Sequence, residues 1–236
     1  MNNYLQKTKL LDYDDPAIEG LVAERSWRYL PPDEKIGPIY DFVRNGVPFG
    51  YNRSDDLPAS AILKDGYGQC NTKATLFMAL LRSAGVPCRF HGFAIDKKLQ
   101  KGAVDGIFYR LAPQELLHSW VEVQYDGRWV NLEGLIIDDP YLDGVKKREP
   151  ACDGPFCGYC ISTGDLRDPK VGWTGEDTYI QRDSITRDLG VFDSPDEFYR
   201  KYGTNMGGLK GLIYVYIVRR IMNQNIRRIR QSSARR

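Results

Sequence analysis

Three side chains give this sequence chemistry to do: a thiol at Cys70, an imidazole at His118 and a carboxylate at Glu133. A thiolate attacks a carbonyl carbon, and an imidazole takes up and returns the proton. A carboxylate fixes the imidazole tautomer and stabilises the imidazolium. A lone cysteine is as readily a small buried apolar residue. The reading therefore depends on whether the local sequence places these groups for reaction.

Cys70 stands where a glycine-containing turn, Asp65-Gly66-Tyr67-Gly68-Gln69, gives way to an apolar run of helical spacing. Ala74, Phe77, Met78 and Leu81 share one helix face, and Leu76 and Leu80 widen it into a deeply buried helix. Gly85 and Pro87 end the helix. Cys70 thus falls at a helix N-terminus, where unpaired N–H groups and the macrodipole favour a thiolate.

His118 and Glu133 flank the clearest sheet signal. Two alternating runs, Ser119–Tyr125 and Arg128–Glu133, are separated by Asp126-Gly127, the signature of a two-residue hairpin turn. That turn sets Tyr125 opposite Arg128 and, by extension, Trp120 opposite Glu133. Val121, Val123, Tyr125, Val130 and Leu132 then share a core face. His118, Trp120, Asn131 and Glu133 share the other, with His118 and Glu133 as diagonal neighbours roughly 7–8 Å apart. A one-residue slip in register would separate them.

Other residues carry alternatives. Gln69 can help bind an oxyanion or stabilise the turn, and the Tyr51 and Tyr67 hydroxyls can donate to an oxyanion or simply pack. Trp120 lines the cleft or covers the histidine. His91 has no acidic residue in register and reads as structural. Asp138 and Asp139 are later acids able to serve His118 in place of Glu133. Cys152, Cys157 and Cys160 form a C-x₄-C-x₂-C cluster that lacks a placed fourth ligand for a structural zinc. The expectation is therefore no metal and no cofactor.

Gly68-Gln69-Cys70, followed by Lys73-Ala74, Leu76-Phe77, Ala79–Arg82 and Ala84–Arg89, resembles the nucleophile segment of the transglutaminase-like superfamily. His118–Val123 and Asp126–Val130 resemble its histidine segment. The resemblance covers roughly residues 35–140. It implies an α+β, papain-like fold with the cysteine helix packed on an antiparallel sheet. It also implies acyl transfer or hydrolysis of an amide or ester (as in cross-linking enzymes, proteases, deamidases and amidases) through a thioester on Cys70. His118 would be the general base and acid. The family usually has Asp as the third residue, and here Glu133 holds that place.

The remaining chain bounds the setting. The formal net charge of +2 over 236 residues gives no overall case for a nucleic-acid partner. The start lacks the apolar region of a signal peptide, no window is apolar enough to span a bilayer, and five cysteines form no disulfide framework. A cytoplasmic protein acting on a protein, a peptide or a small amide is expected, with no stable membrane insertion. Two regions are expected: a core over residues 1–145 with N-terminal helices, and an accessory, mainly helical extension over 146–236 packed on it. Within the extension, Ser194-Pro195-Asp196-Glu197 reads as a capping box. Leu209, Leu212, Ile213, Tyr216, Ile217 and Ile221 mark an amphipathic helix that docks on the core and ends in solvated arginines. A non-catalytic binding module using that basic helix as its contact is the alternative function.

Overall fold

The computed structural model describes residues 3–104, 106–205 and 214–234. Helices α1 (Pro16–Glu24), α2 (Ile36–Asp41) and α3 (Ala59–Asp65) precede α4 (Cys70–Ser83). Strand β1 (Cys88–Asp96), the short helix α5 (Gly106–Leu111), β2 (Glu115–Tyr125) and β3 (Arg128–Leu132) follow. Helix α6 (Asp139–Arg148), strands β4 (Phe156–Gly158), β5 (Ile161–Thr163) and β6 (Ile185–Phe192), and α7 (Pro195–Tyr202) lead to a C-terminal helix, Arg219–Ala234.

The main sheet is antiparallel in the order β3-β2-β1-β6. This is the expected α+β arrangement, with the cysteine helix on an antiparallel sheet. From Asn71 to Ser83 every residue of α4 is buried. Its apolar side chains meet Val121, Val123, Val130 and Leu132 of the hairpin in one core with Ile39, Tyr40 and Phe90. The hairpin has the expected register, Tyr125 opposite Arg128 and Val121 opposite Leu132. Asp126 (φ 47°) and Gly127 (φ 72°) both take left-handed backbone, the conformation of the turn whose twist matches paired strands.

The segment beyond residue 145 is not only helical. β6 is the edge strand of the main sheet, and β4 and β5 form a separate hairpin. Of the expected capping box before α7, the Ser194 hydroxyl accepts the Glu197 N–H, but the Glu197 carboxylate accepts the N–H of Asp193, one residue before the N-cap, in place of that of Ser194. Leu209, Leu212 and Ile213 of the expected amphipathic stripe lie outside the described residues. Of the rest, Tyr216, Ile217 and Ile221 are exposed, and the helix docks instead through Met222, Ile226 and Ile229. The docking is close. A Cβ on Gly144 of α6 would come within 2.1 Å of the Ile229 carbonyl oxygen, so only glycine fits there. Nor are all the terminal arginines solvated, because Arg230 forks onto Asp138 at 2.9 and 2.8 Å. Among the described residues no helix is long and apolar enough to cross a membrane.

Candidate active site

Gln69 and Thr72 cap α4 reciprocally, which places Cys70 at its first helical position. The Cys70 N–H there has no acceptor within the helix and is available to an incoming oxygen. Gln69 is committed to the turn: its Oε1 accepts the Asn52 N–H at 2.9 Å and its Nε2 donates to Asp55 at 3.1 Å. Next to the cysteine, Asn71 grips β2 on both sides of the histidine. Its amide donates to the Leu117 carbonyl at 3.1 Å, and its Oδ1 accepts from the Ser119 hydroxyl at 2.9 Å. Helix tip and histidine strand are thereby locked together.

His118 and Glu133 meet more closely than strand geometry predicts. The ladder stops at Leu132, and Glu133 turns into helical backbone (φ −104°, ψ −30°). That turn folds its side chain back onto the imidazole. His118 Nε2 and Glu133 Oε1 are 2.6 Å apart, and both side chains are fully buried. An ionised carboxylate only accepts, so Nε2 carries the proton and Nδ1 is left to face the thiol. Nδ1 makes no aligned hydrogen bond, yet the Cys70 sulfur acts on the ring. Burial alone would favour the neutral imidazole. Cys70, by charge and by hydrogen bonding, and then Glu133 outweigh that effect, and the pKa is pushed up to about 9. A catalytic pair that aligns fully only around substrate has this geometry when unliganded.

The second carboxylate oxygen has its own holder, which sequence reasoning missed. Glu133 Oε2 accepts three consecutive backbone N–H groups, from Ile180 at 2.7 Å, Gln181 at 2.9 Å and Arg182 at 3.1 Å. Such a concave run of amides is an anion nest, and it closes on a fully buried carboxylate oxygen. The nest is anchored by the Glu133 N–H to the Thr178 carbonyl and the Thr178 N–H to the Asn131 carbonyl. Nothing in the Ile180-Gln181-Arg182 side chains marks it, since only backbone is used.

The other expected residues divide. Tyr51 lines a cavity together with Cys70, and its hydroxyl accepts from Gln100 at 3.1 Å and lies 3.2 Å from the Cys160 sulfur. Tyr67 does not line it; its hydroxyl accepts from Arg219 at 2.9 Å. Trp120 stays outside that cavity too. It stacks on Phe93 (3.9 Å between centroids), presents an edge to His118 and donates to Asn131 at 2.9 Å. Asp138 and Asp139 are engaged elsewhere. The first caps α6 and pairs with Arg230, and the second pairs with Arg44 at 2.5 Å. His91 departs from expectation: Glu122 lies 2.6 Å from its Nδ1 and Asp188 2.9 Å from its Nε2. Glu122 is the strand partner of Arg89, two residues along the same face, so the acid reaches His91 diagonally.

The three later cysteines do not converge. Cys160 is buried beside Tyr51, Cys157 is exposed beside Ser184, and Cys152 is half-buried near the Gly154 carbonyl. Among the described residues no group of three or more His, Cys, Asp or Glu side chains is placed to hold a metal ion.

Residues 22–134 match a family model described as the Transglutaminase-like superfamily. Residues 22–134 are thus transglutaminase-like. The match takes in Cys70, His118 and Glu133, whereas the amide nest at 180–182 lies beyond it. Among solved structures, a "Putative Cysteine Protease" from Cytophaga hutchinsonii is similar at 20% identity with a TM-score of 0.40. The similarity spans 55% of this chain and 40% of that one, so well under two thirds of that protein is represented. No curated protein gives a significant match.

Proposed function

We propose that the protein is a cysteine-dependent enzyme that cleaves or transfers an acyl group through a thioester on Cys70. The observation that carries this reading is the buried, directed chain from the amide nest through Glu133 to His118, with Nδ1 left over for the thiol. In the resting site the imidazolium faces the sulfur. The thiolate adds to the substrate carbonyl, and the developing oxyanion is met by the Cys70 N–H with the Tyr51 hydroxyl as a second donor. His118 then gives its Nδ1 proton to the leaving amine or alcohol. Water or an amine, deprotonated by the now neutral His118, releases the acyl group and restores the pair. Glu133 holds the ring orientation and the Nε2–H tautomer throughout. Family membership leaves both transfer and hydrolysis open, and the reading covers both.

The alternative binding module would present its basic C-terminal helix to a partner. Arg230 instead faces inward onto Asp138 and the Phe49 carbonyl, which favours docking over display. The test is acylation by p-nitrophenyl acetate, followed by intact and peptide mass spectrometry. A burst of p-nitrophenol with one acetyl group on Cys70, lost in His118→Ala, is expected. A burst of the same size from His118→Ala, or acetyl on other residues only, would overturn the reading.

A further inference from the structure

The cavity that Cys70 opens into has a volume of about 560 Å³, the size that encloses one small molecule and not an extended polypeptide. Its apolar wall is built by the end of β1 (Ile95), the β1–β2 connection (Leu99, Val104, Phe108), the start of β2 (Leu116) and the C-terminal helical region (Val218, Met222). Polar side chains, Asp55, Asn71, Gln100 and Asn205 among them, complete the lining. Leu111 belongs to the wall and is 75% exposed, which marks the mouth.

One polar side chain in this lining is conspicuous. Gln181 is 3% exposed, its Nε2 donates to the Cys160 carbonyl at 2.6 Å, and its Oε1 has no partner. A carbonyl only accepts, so the amide cannot be the other way round. A buried acceptor left unmade is costly, and this one sits on the residue whose own N–H holds Glu133. The residue it grips lies in the two-residue turn of the β4–β5 hairpin, where Tyr159 (φ 51°) and Cys160 (φ 59°) both take the left-handed backbone that such a turn requires.

We propose that this cavity is the acyl-donor pocket and that it takes a small secondary amide with an apolar acyl portion, whose N–H is accepted by Gln181 Oε1. The proposal rests on Cys70 being the nucleophile. The acyl chain fills the apolar wall and its carbonyl carbon lies at the sulfur. The C–S bond forms as the C–N bond breaks, and the amine leaves with the proton from His118. Water then cleaves the thioester, giving the carboxylic acid and restoring thiolate and imidazolium.

The test is acylation of Cys70 by p-nitrophenyl esters of acetate, butyrate and octanoate below their micellar concentrations, alongside the matching p-nitroanilides. Each buried methylene gains about 0.8 kcal/mol, about fourfold, so octanoate, four methylenes longer, is expected to acylate roughly 200-fold faster than butyrate. Leu111→Asp, at an exposed position where the fold is not at risk, is expected to flatten that dependence. Gln181→Met is expected to lower the anilide-to-ester rate ratio about tenfold, with Cys70 alkylation by iodoacetamide near pH 6 reporting that the site is intact. Equal rates for acetate and octanoate would overturn the pocket while leaving the cysteine enzyme standing. An unchanged rate ratio in Gln181→Met would overturn the role of its Oε1. Failure of every ester to acylate Cys70 would overturn the pocket and the enzyme together.

Discussion

The protein carries two histidine–glutamate pairs that share strand β2, His91 with Glu122 and His118 with Glu133, and they differ in what each histidine has left to offer. At His91 both ring nitrogens face carboxylates, Glu122 at 2.6 Å and Asp188 at 2.9 Å. Glu122 is also claimed by Arg89 at 2.5 Å. Burial works against the His91 imidazolium, but Glu122 and Asp188 overcome it, and the pKa is raised. At His118 the glutamate distance is the same 2.6 Å, yet only Nε2 is taken. A tight imidazole–carboxylate contact is therefore not what separates the proposed reactive site from a structural ion pair. The unclaimed nitrogen, the thiol opposite it and the nest behind the acid make the difference.

The comparison breaks most visibly if His118→Ala leaves reactivity unchanged. Loss of the proton carrier is expected to cut turnover by about 10²–10⁴-fold, measured as steady-state p-nitrophenol release. Glu133→Gln comes next, at roughly 10–10³-fold in turnover. With one end of the side chain held in the nest, the amide presents N–H₂ to Nε2, and the ring must switch tautomer and move its proton to the thiol side. Glu133→Asp should fall between wild type and Gln. Asn71→Ala removes the clamp between helix tip and β2, and about a tenfold loss in turnover is expected from the misplaced histidine. The smallest effect sharpens the contrast: His91→Gln should lower stability by about 1 kcal/mol in urea unfolding and leave Cys70 alkylation as in wild type.

The parts legible in the sequence are those with local signatures. The cysteine helix shows in its glycines and apolar period, and the hairpin shows in Asp126-Gly127, whose register placed His118 and Glu133 on one face. The exact contact was not legible, because it depends on Glu133 leaving the strand after Leu132. The nest was not legible either. It uses backbone N–H groups of a segment 47 to 49 residues away, and a sequence shows side chains only. β6 escaped because Thr186, Arg187 and Asp188 are exposed and its pairing with β1 shifts register, which erases alternation. The acids around His91 were missed because one is diagonal and the other lies on that unrecognised strand. Tyr67, one of the two hydroxyls expected as oxyanion donors, is directed by the turn to Arg219 instead.

The central claim is that Cys70, His118 and Glu133 act as one unit, and alkylation of Cys70 by iodoacetamide as a function of pH tests it most directly. His118 has a folded pKa of about 9, above its ordinary 6.5. Its contribution to stability is therefore complete below 6.5 and lost as the pH rises through about 9, and the imidazolium beside the sulfur persists over that range. Wild type is expected to alkylate at Cys70 near pH 6 well ahead of the exposed Cys157, with an inflection near pH 9. In Glu133→Gln the carboxylate no longer supports the imidazolium, so that inflection should move to lower pH. The same inflection in wild type and Glu133→Gln, or Cys70 labelling no faster than Cys157 near pH 6, would contradict the account.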